Sequence, residues 1–280
     1  MVPLTPGNTC NEPEVKWMSD DYLPLGGRRA LVTGASRGIG QSIALALARA
    51  GADVALSARG RVALEQVAGE VQALGRRALA LPCDVTDPQQ VAAMVGEAVA
   101  GLGGLDVLVN NAGAAASHKF LDHPDELWHH MLAANLTSVY YVTKACAPQM
   151  VAQRWGRIIM VASIAAKVGA RYIAAYTAAK HGVLGLTRAL AAELVGYNIT
   201  VNAICPGYVA TPMTEANIAN IARRTGMSTA QARAALEQTS PQQRLIAPEE
   251  VAALVVYLAQ DISKGITGQA INIDGGAVMY

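Results

Sequence analysis

The sequence predicts an α/β fold: a single domain on a doubly wound parallel sheet of about seven strands, with helices on both faces. Three observations predict it. From Arg29 onward, short apolar runs alternate with stretches of helical period, the pattern of parallel strands joined by right-handed crossovers. Hydrophobic residues make up 52% of the 280 and charged residues only 15%. That supplies a large core and excludes a disordered, solvating chain. No solenoid repeat or low-complexity tract interrupts the alternation.

Residues 1–27 are rich in Pro, Gly, Asn and acidic side chains and read as an extension, leaving 28–280 as the domain. Ala30 to Thr33 is an uninterrupted apolar run ending in Gly34, hence a buried strand, and Ile39 to Arg49 repeats at helical spacing. The same reading gives a strand at 53–58, a helix at 61–74, a strand at 77–82 and a helix at 88–100. A fourth strand covers 106–110, and a single long helix is expected from Pro124 to Gln153. A strand at 157–162, a helix at 174–194 and a strand at 199–203 follow. Residues 211–240 are helical but polar-interrupted, and the chain closes on a helix at 248–259 and a strand at 269–273.

The first strand runs into Thr33-Gly34-Ala35-Ser36-Arg37-Gly38-Ile39-Gly40. Glycine permits the sharp turn and close backbone approach. The helix that starts there offers free N–H groups and a positive dipole end, which suit a pyrophosphate. Three glycines at this spacing in the first βα unit point to dinucleotide binding and a Rossmann fold.

Further motifs occur in order. Asn110-Asn111-Ala112-Gly113 follows the fourth strand, Tyr176-x-x-x-Lys180 follows the fifth with Ser163 ahead of it, Pro206-Gly207 follows the sixth, and Asp274-Gly275-Gly276 closes the last. Together with the glycine turn they resemble the short-chain dehydrogenases/reductases over essentially residues 28–280. The resemblance implies a nicotinamide cofactor held by Gly34, Ser36, Arg37, Gly38, Ile39, Gly40, Arg59, Asp84, Val85, Asn111, Ala112 and Gly113. It adds Tyr176, Lys180, Pro206, Gly207, Val209 and Thr211.

The second strand ends Ser57-Ala58-Arg59, with no acidic residue for the adenosine ribose. Arg59 and Arg37 are placed to flank a 2′-phosphate, so NADP(H) is expected over NAD(H). Asp84 reads equally as an adenine neighbour and as a turn or cap residue before Pro88.

The resemblance makes Tyr176, Lys180, Ser163 and Asn135 the catalytic set. Tyr176 and Lys180 are four apart and share a helix face. An ammonium there favours the phenolate, so Tyr176 is expected to have a lowered pKa and to serve as general acid or base. Ser163 would orient the substrate oxygen, and Asn135 would hold a water that links Lys180 to solvent. The substrate is expected against Ser163, Ile164 and Tyr208, under a lid at about 208–246. Arg171 could meet an anionic group but reads slightly better as a solvated charge.

The lead expectation is an NADPH-dependent reductase of a 3-oxoacyl thioester or similar ketone. The alternatives are a dehydrogenase of a sugar, cyclic alcohol or free hydroxy acid, and a non-catalytic NADP(H)-binding regulator. The intact set of Asn135, Ser163, Tyr176 and Lys180 disfavours the regulator. Lys+Arg 22 against Asp+Glu 21 leaves a net charge of +1, with no footprint for nucleic acid or an anionic membrane. Five scattered histidines and four separated cysteines show no metal-ligand spacing. With no secretory leader pattern and no long apolar run, a cytoplasmic setting is expected. Apolar residues in the two long helices exceed one core-facing stripe, which by family resemblance predicts a homotetramer.

Overall fold

A computed structural model describes residues 23–280; the expected extension lies outside them up to residue 22. Seven parallel strands form one sheet in the order β3-β2-β1-β4-β5-β6-β7. They are β1 (Arg29–Thr33), β2 (Asp53–Ala58), β3 (Ala78–Pro82), β4 (Val107–Asn110), β5 (Gly156–Val161), β6 (Ile199–Pro206) and β7 (Ala270–Ile273). The helices α1 (Gly38–Arg49), α2 (Arg61–Ala73) and α3 (Pro88–Leu102) cross over in the first half. In the second half α4 (Asp125–Leu132), α5 (Ser138–Gln153) and α6 (Ala174–Leu194) precede α7 (Pro212–Thr225), α8 (Thr229–Glu237) and α9 (Pro248–Ala259).

Central strands are buried on both faces, so their sequences are almost wholly apolar: β4 is VLVN and β5 is GRIIMV, every residue buried. One core packs α1, α2 and α9 on one face of the sheet. The other packs α3, α5 and α6 on the opposite face. Leu25, ahead of β1, is buried in the first core, and its N–H donates to the Ala50 carbonyl (2.8 Å). The chain order reverses between β1 and β4, so the loops at their carboxyl ends diverge and open a crevice.

The expected single helix from Pro124 to Gln153 is broken. A π-helical turn, Ala133–Thr137, separates α4 from α5. Such an insertion widens the helix by one residue and commonly sits at functional sites. The polar stretch after β6 resolves into α7 and α8, whose shared core of Ile218, Ala232 and Leu236 is separate from the two main cores.

Candidate active site

The crevice is built from the β1 and β4 ends. The Thr33 hydroxyl accepts from the N–H of Asn111 (3.0 Å) and of Ala112 (3.1 Å). Asn111 Nδ2 donates back to the carbonyls of Thr33 (2.9 Å) and Gly34 (3.2 Å). Gly34 has φ +66, and a Cβ there would stand 2.8 Å from Asn111 Nδ2. A Cβ at Gly40 would collide with the Gly34 carbonyl. Side chains at either position would push the loops apart.

Helix α1 starts from Arg37 in extended conformation (φ −169), with no side-chain cap and no acidic residue in its first turn. Its first N–H groups are therefore left for an anion. A cleft of about 560 Å³ runs past this helix end to Tyr176 and Lys180. The cleft and its donor set fit a nicotinamide dinucleotide. Exposed Arg37 and Arg59 stand on its rim with Ala58 between the strand and Arg59. Asp84 also lines it, but its carboxylate accepts from Thr86 N (2.9 Å) and Thr86 Oγ1 (2.7 Å). Those bonds hold its pKa below the usual carboxylate range, with a smaller contribution from Arg59. The cap of α3 is Asp87 rather than Asp84.

At the far end, β5 and α6 bring the predicted chemistry together. Ser163 follows β5, and its oxygen accepts from Ala165 N (3.1 Å), which leaves its proton free to donate. Burial raises the Tyr176 pKa, and the hydrogen bond with Ser163 opposes that shift. The shift is thus opposite to the lowering expected from Lys180, because the phenol is buried. Lys180 Nζ lies 5.7 Å from the Tyr176 ring centroid and donates to the Val161 carbonyl (2.9 Å). Its own pKa is lowered by burial to about 8.

Asn135 sits in the π turn and is buried. Its Nδ2 donates to the carbonyls of Ala114 (2.9 Å) and Met131 (3.0 Å), and its Oδ1 accepts from Ala114 N (3.1 Å). Both its N–H groups are thus committed to protein, and only Oδ1 has a lone pair to spare. A Cβ on Gly113 would stand 2.7 Å from that Oδ1 and 3.9 Å from Lys180 Nζ, so these three residues converge.

The family model described as Enoyl-(Acyl carrier protein) reductase matches residues 34–278. The chain belongs to the short-chain dehydrogenases/reductases. It is similar to the D-beta-hydroxybutyrate dehydrogenase of Rhizobium meliloti, 39% identical over 255 residues, covering 89% of this chain and 98% of the relative. It is 40% identical over 253 residues to the 3-oxoacyl-acyl-carrier-protein reductase FabG of Staphylococcus aureus, covering 90% and 98%. Among solved structures, a variant actinorhodin polyketide ketoreductase with NADPH superposes with a TM-score of 0.87 at 39% identity, covering 90% and 98%. A short-chain dehydrogenase/reductase from Mycobacterium marinum gives 0.85 at 39%, covering 93% and 99%. The protein is accordingly an oxidoreductase that uses a nicotinamide cofactor on hydroxyl or ketone groups.

In this dehydrogenase/reductase, Gly34, Ser36, Arg37, Gly38, Ile39, Gly40, Arg59, Asp84, Val85, Asn111, Ala112, Gly113, Asn135, Tyr176, Lys180 and Thr211 all line the cleft. Ser163, Ile164, Pro206, Gly207, Tyr208 and Val209 lie outside its lining. Val209 instead packs into the core, 4% exposed, and its backbone forms an isolated bridge with Ile246. Thr211 caps α7, its hydroxyl accepting from Thr214 N (3.4 Å). Sequence reasoning passes over Ala63, Cys83 and His130, which also line the cleft. His130 stands one turn before Ala134, and that spacing signals their common face. The others have no distinguishing residue type. Among the described residues no three side chains are grouped to hold a metal, and no helix is long and apolar enough to cross a membrane.

Proposed function

We propose that this enzyme is an NADPH-dependent ketoreductase of 3-oxoacyl thioesters, working as a homotetramer. The observation that carries the reading is one cleft lined by Arg37 and Arg59 and also by the Tyr176–Lys180 pair. Relatives bearing ketoreductase names support the substrate class. Arg37 and Arg59 offer fork-shaped donors to a 2′-phosphate, with no nearby carboxylate in the Ala58 position to repel it.

NADPH, when bound, supplies a hydride to the carbonyl carbon. Tyr176 donates its phenolic proton to the carbonyl oxygen, and its raised pKa keeps that proton in place at neutral pH. Ser163 donates to the same oxygen and stabilises charge developing there. Lys180 returns a proton toward Tyr176, since a group with a pKa of about 8 exchanges near neutrality. Asn135 and Gly113 hold the floor beneath it. Exposed Trp128 and Tyr140 on α4 and α5 support assembly through those helices.

The test follows absorbance at 340 nm with NADPH and NADH, offering acetoacetyl-CoA, a cyclic ketone and a keto sugar. Faster NADPH oxidation with the thioester is expected, from protein with a light-scattering mass four times 29.1 kDa. Preference for NADH would remove the role of the arginines. Turnover confined to the cyclic ketone or the keto sugar would favour the dehydrogenase reading.

A further inference from the structure

The turn that carries Ser163 is tied to the far edge of the sheet. Ser163 caps a single 3-10 turn, Ile164–Ala166, and its hydroxyl accepts from Ala165 N inside that turn (3.1 Å). Ala166 N donates to the Ser163 carbonyl and Lys167 N to the Ile164 carbonyl (both 2.9 Å), so Lys167 closes the same turn. The Lys167 ammonium then donates to two backbone oxygens far along the chain, Ala270 (2.8 Å) and Tyr280 (2.7 Å), 103 and 113 residues away. Ala270 begins β7, the edge strand, with β6 between it and β5. Gln269 and Ile273 give their carbonyls to Ala203 N and Gly207 N on the β6 side. The Ala270 carbonyl, one residue on from Gln269, therefore faces away from β6, toward the open edge. The segment ending at Tyr280 has its own anchors. Asp274 accepts from Gly276 N (3.0 Å) and Val278 N (2.8 Å), Asn272 Nδ2 donates to the Val278 carbonyl, and the Val278 side chain is buried.

The Ser163 hydroxyl takes its direction from Ala165 N, so it moves with the turn. A single 3-10 turn has poor hydrogen-bond geometry and little rigidity of its own. Lys167 couples it to β7 and to the 276–280 segment. We propose that Lys167 is a positioning residue: by bridging the Ala270 and Tyr280 oxygens it fixes the turn, and so sets the direction from which Ser163 meets the substrate oxygen. The inference rests on the reading of Ser163 as a donor to that oxygen. A displacement of about 1 Å at a reacting centre costs roughly 10²-fold in rate. Loosening one end of the turn should shift Ser163 by less, and a loss of about tenfold is expected.

The test is a double-mutant cycle on the full chain, with Lys167→Met, Ser163→Ala and the two combined. The kcat is measured with NADPH and whichever of acetoacetyl-CoA, the cyclic ketone and the keto sugar is reduced fastest. Circular dichroism and NADPH affinity serve as folding controls. Lys167→Met is expected to lower kcat about tenfold and to leave NADPH affinity within about twofold. Lys167→Arg, which keeps a cation with several donors, should recover most of that loss. In the Ser163→Ala background the same Lys167→Met change should alter kcat by less than about twofold, because no hydroxyl remains to be positioned. Lys167→Gln, which keeps one donor, is carried through the same cycle, so a poorly folding Lys167→Met leaves the comparison intact. A kcat within about twofold of wild type in folded Lys167→Met and Lys167→Gln overturns the proposal. So does an equal loss with and without Ser163, which would make Lys167 a general structural tie. The underlying reading is tested separately by Ser163→Ala alone, where a wild-type kcat removes the role of Ser163 first, and the inference with it.

Discussion

Tyr176 and Lys180 face opposite electrostatic demands although they share one helix face. Burial favours the neutral form of each, raising the phenol and lowering the ammonium to about 8. The phenol is thus poised to give a proton rather than to sit as a phenolate, which suits reduction at neutral pH. Replacing Tyr176 by Phe should lower kcat by roughly 10²–10⁴-fold, the span for one positioned acid. NADPH binding, read by fluorescence, should survive. Retained turnover would mean the proton comes from another group. The pH profile follows from Lys180. Its ammonium is present below about 8 and lost as pH rises through that value. The reduction rate should fall on that alkaline limb, and Lys180→Arg, with a guanidinium that keeps its charge, should move the limb upward. A limb in the same place for both proteins would assign it to a different group.

At the scale of elements, strands and their order are the most legible part of the sequence. Apolar runs such as VLVN and RIIMV admit no reading but burial on both faces, and the helices between them force parallel pairing. The glycine turn is legible because Gly34 and Gly40 answer a steric need. The π turn is not. Apolar residues run through Leu132, Leu136 and Val139 at ordinary helical spacing, so nothing in the pattern marks the extra residue. What the break accomplishes is visible only in three dimensions, where it carries Asn135 onto the Ala114 backbone. Asn135→Ala would leave Ala114 N, Ala114 O and Met131 O without their partner. Stability should drop by about 2–3 kcal/mol, since unpaired buried polar groups cost that much. The KM for NADPH should rise as the Gly113 floor loosens. Lost activity with an unchanged melting temperature would instead make Asn135 purely a water holder.

Across the whole molecule, the sheet separates chemistry from stability. Every candidate catalytic group sits at or beyond a strand's carboxyl end or on the helix that follows it. The amino ends carry ion-paired clusters instead: Arg29 with Asp106, and Arg76 and Arg77 with Asp53. The deepest belongs to Arg157, only 1% exposed at the start of β5. Its guanidinium donates to the carbonyls of Gly156 (2.9 Å) and Asn198 (3.3 Å) and to Asp261 (3.1 Å). It lies 4.3 Å from the Trp155 ring centroid, and Arg28, also bound to Asp261, lies 3.7 Å from it. Burial lowers the Arg157 pKa, and Asp261 partly restores it. The cluster ties together residue 28, β5, the turn before β6 and the turn after α9. Replacing Arg157 with Met fills the volume but leaves the two carbonyls without their donor, at about 2 kcal/mol. For a domain of this size that is a melting-temperature drop of roughly 4–8 °C. Ser163 lies six residues along, about 20 Å away at strand rise. The kcat/KM of the folded variant should therefore stay within about twofold of wild type, less than a lost hydrogen bond would cost. If activity fell in step with stability under conditions where the variant is fully folded, the two ends of β5 would be coupled and the separation would not hold.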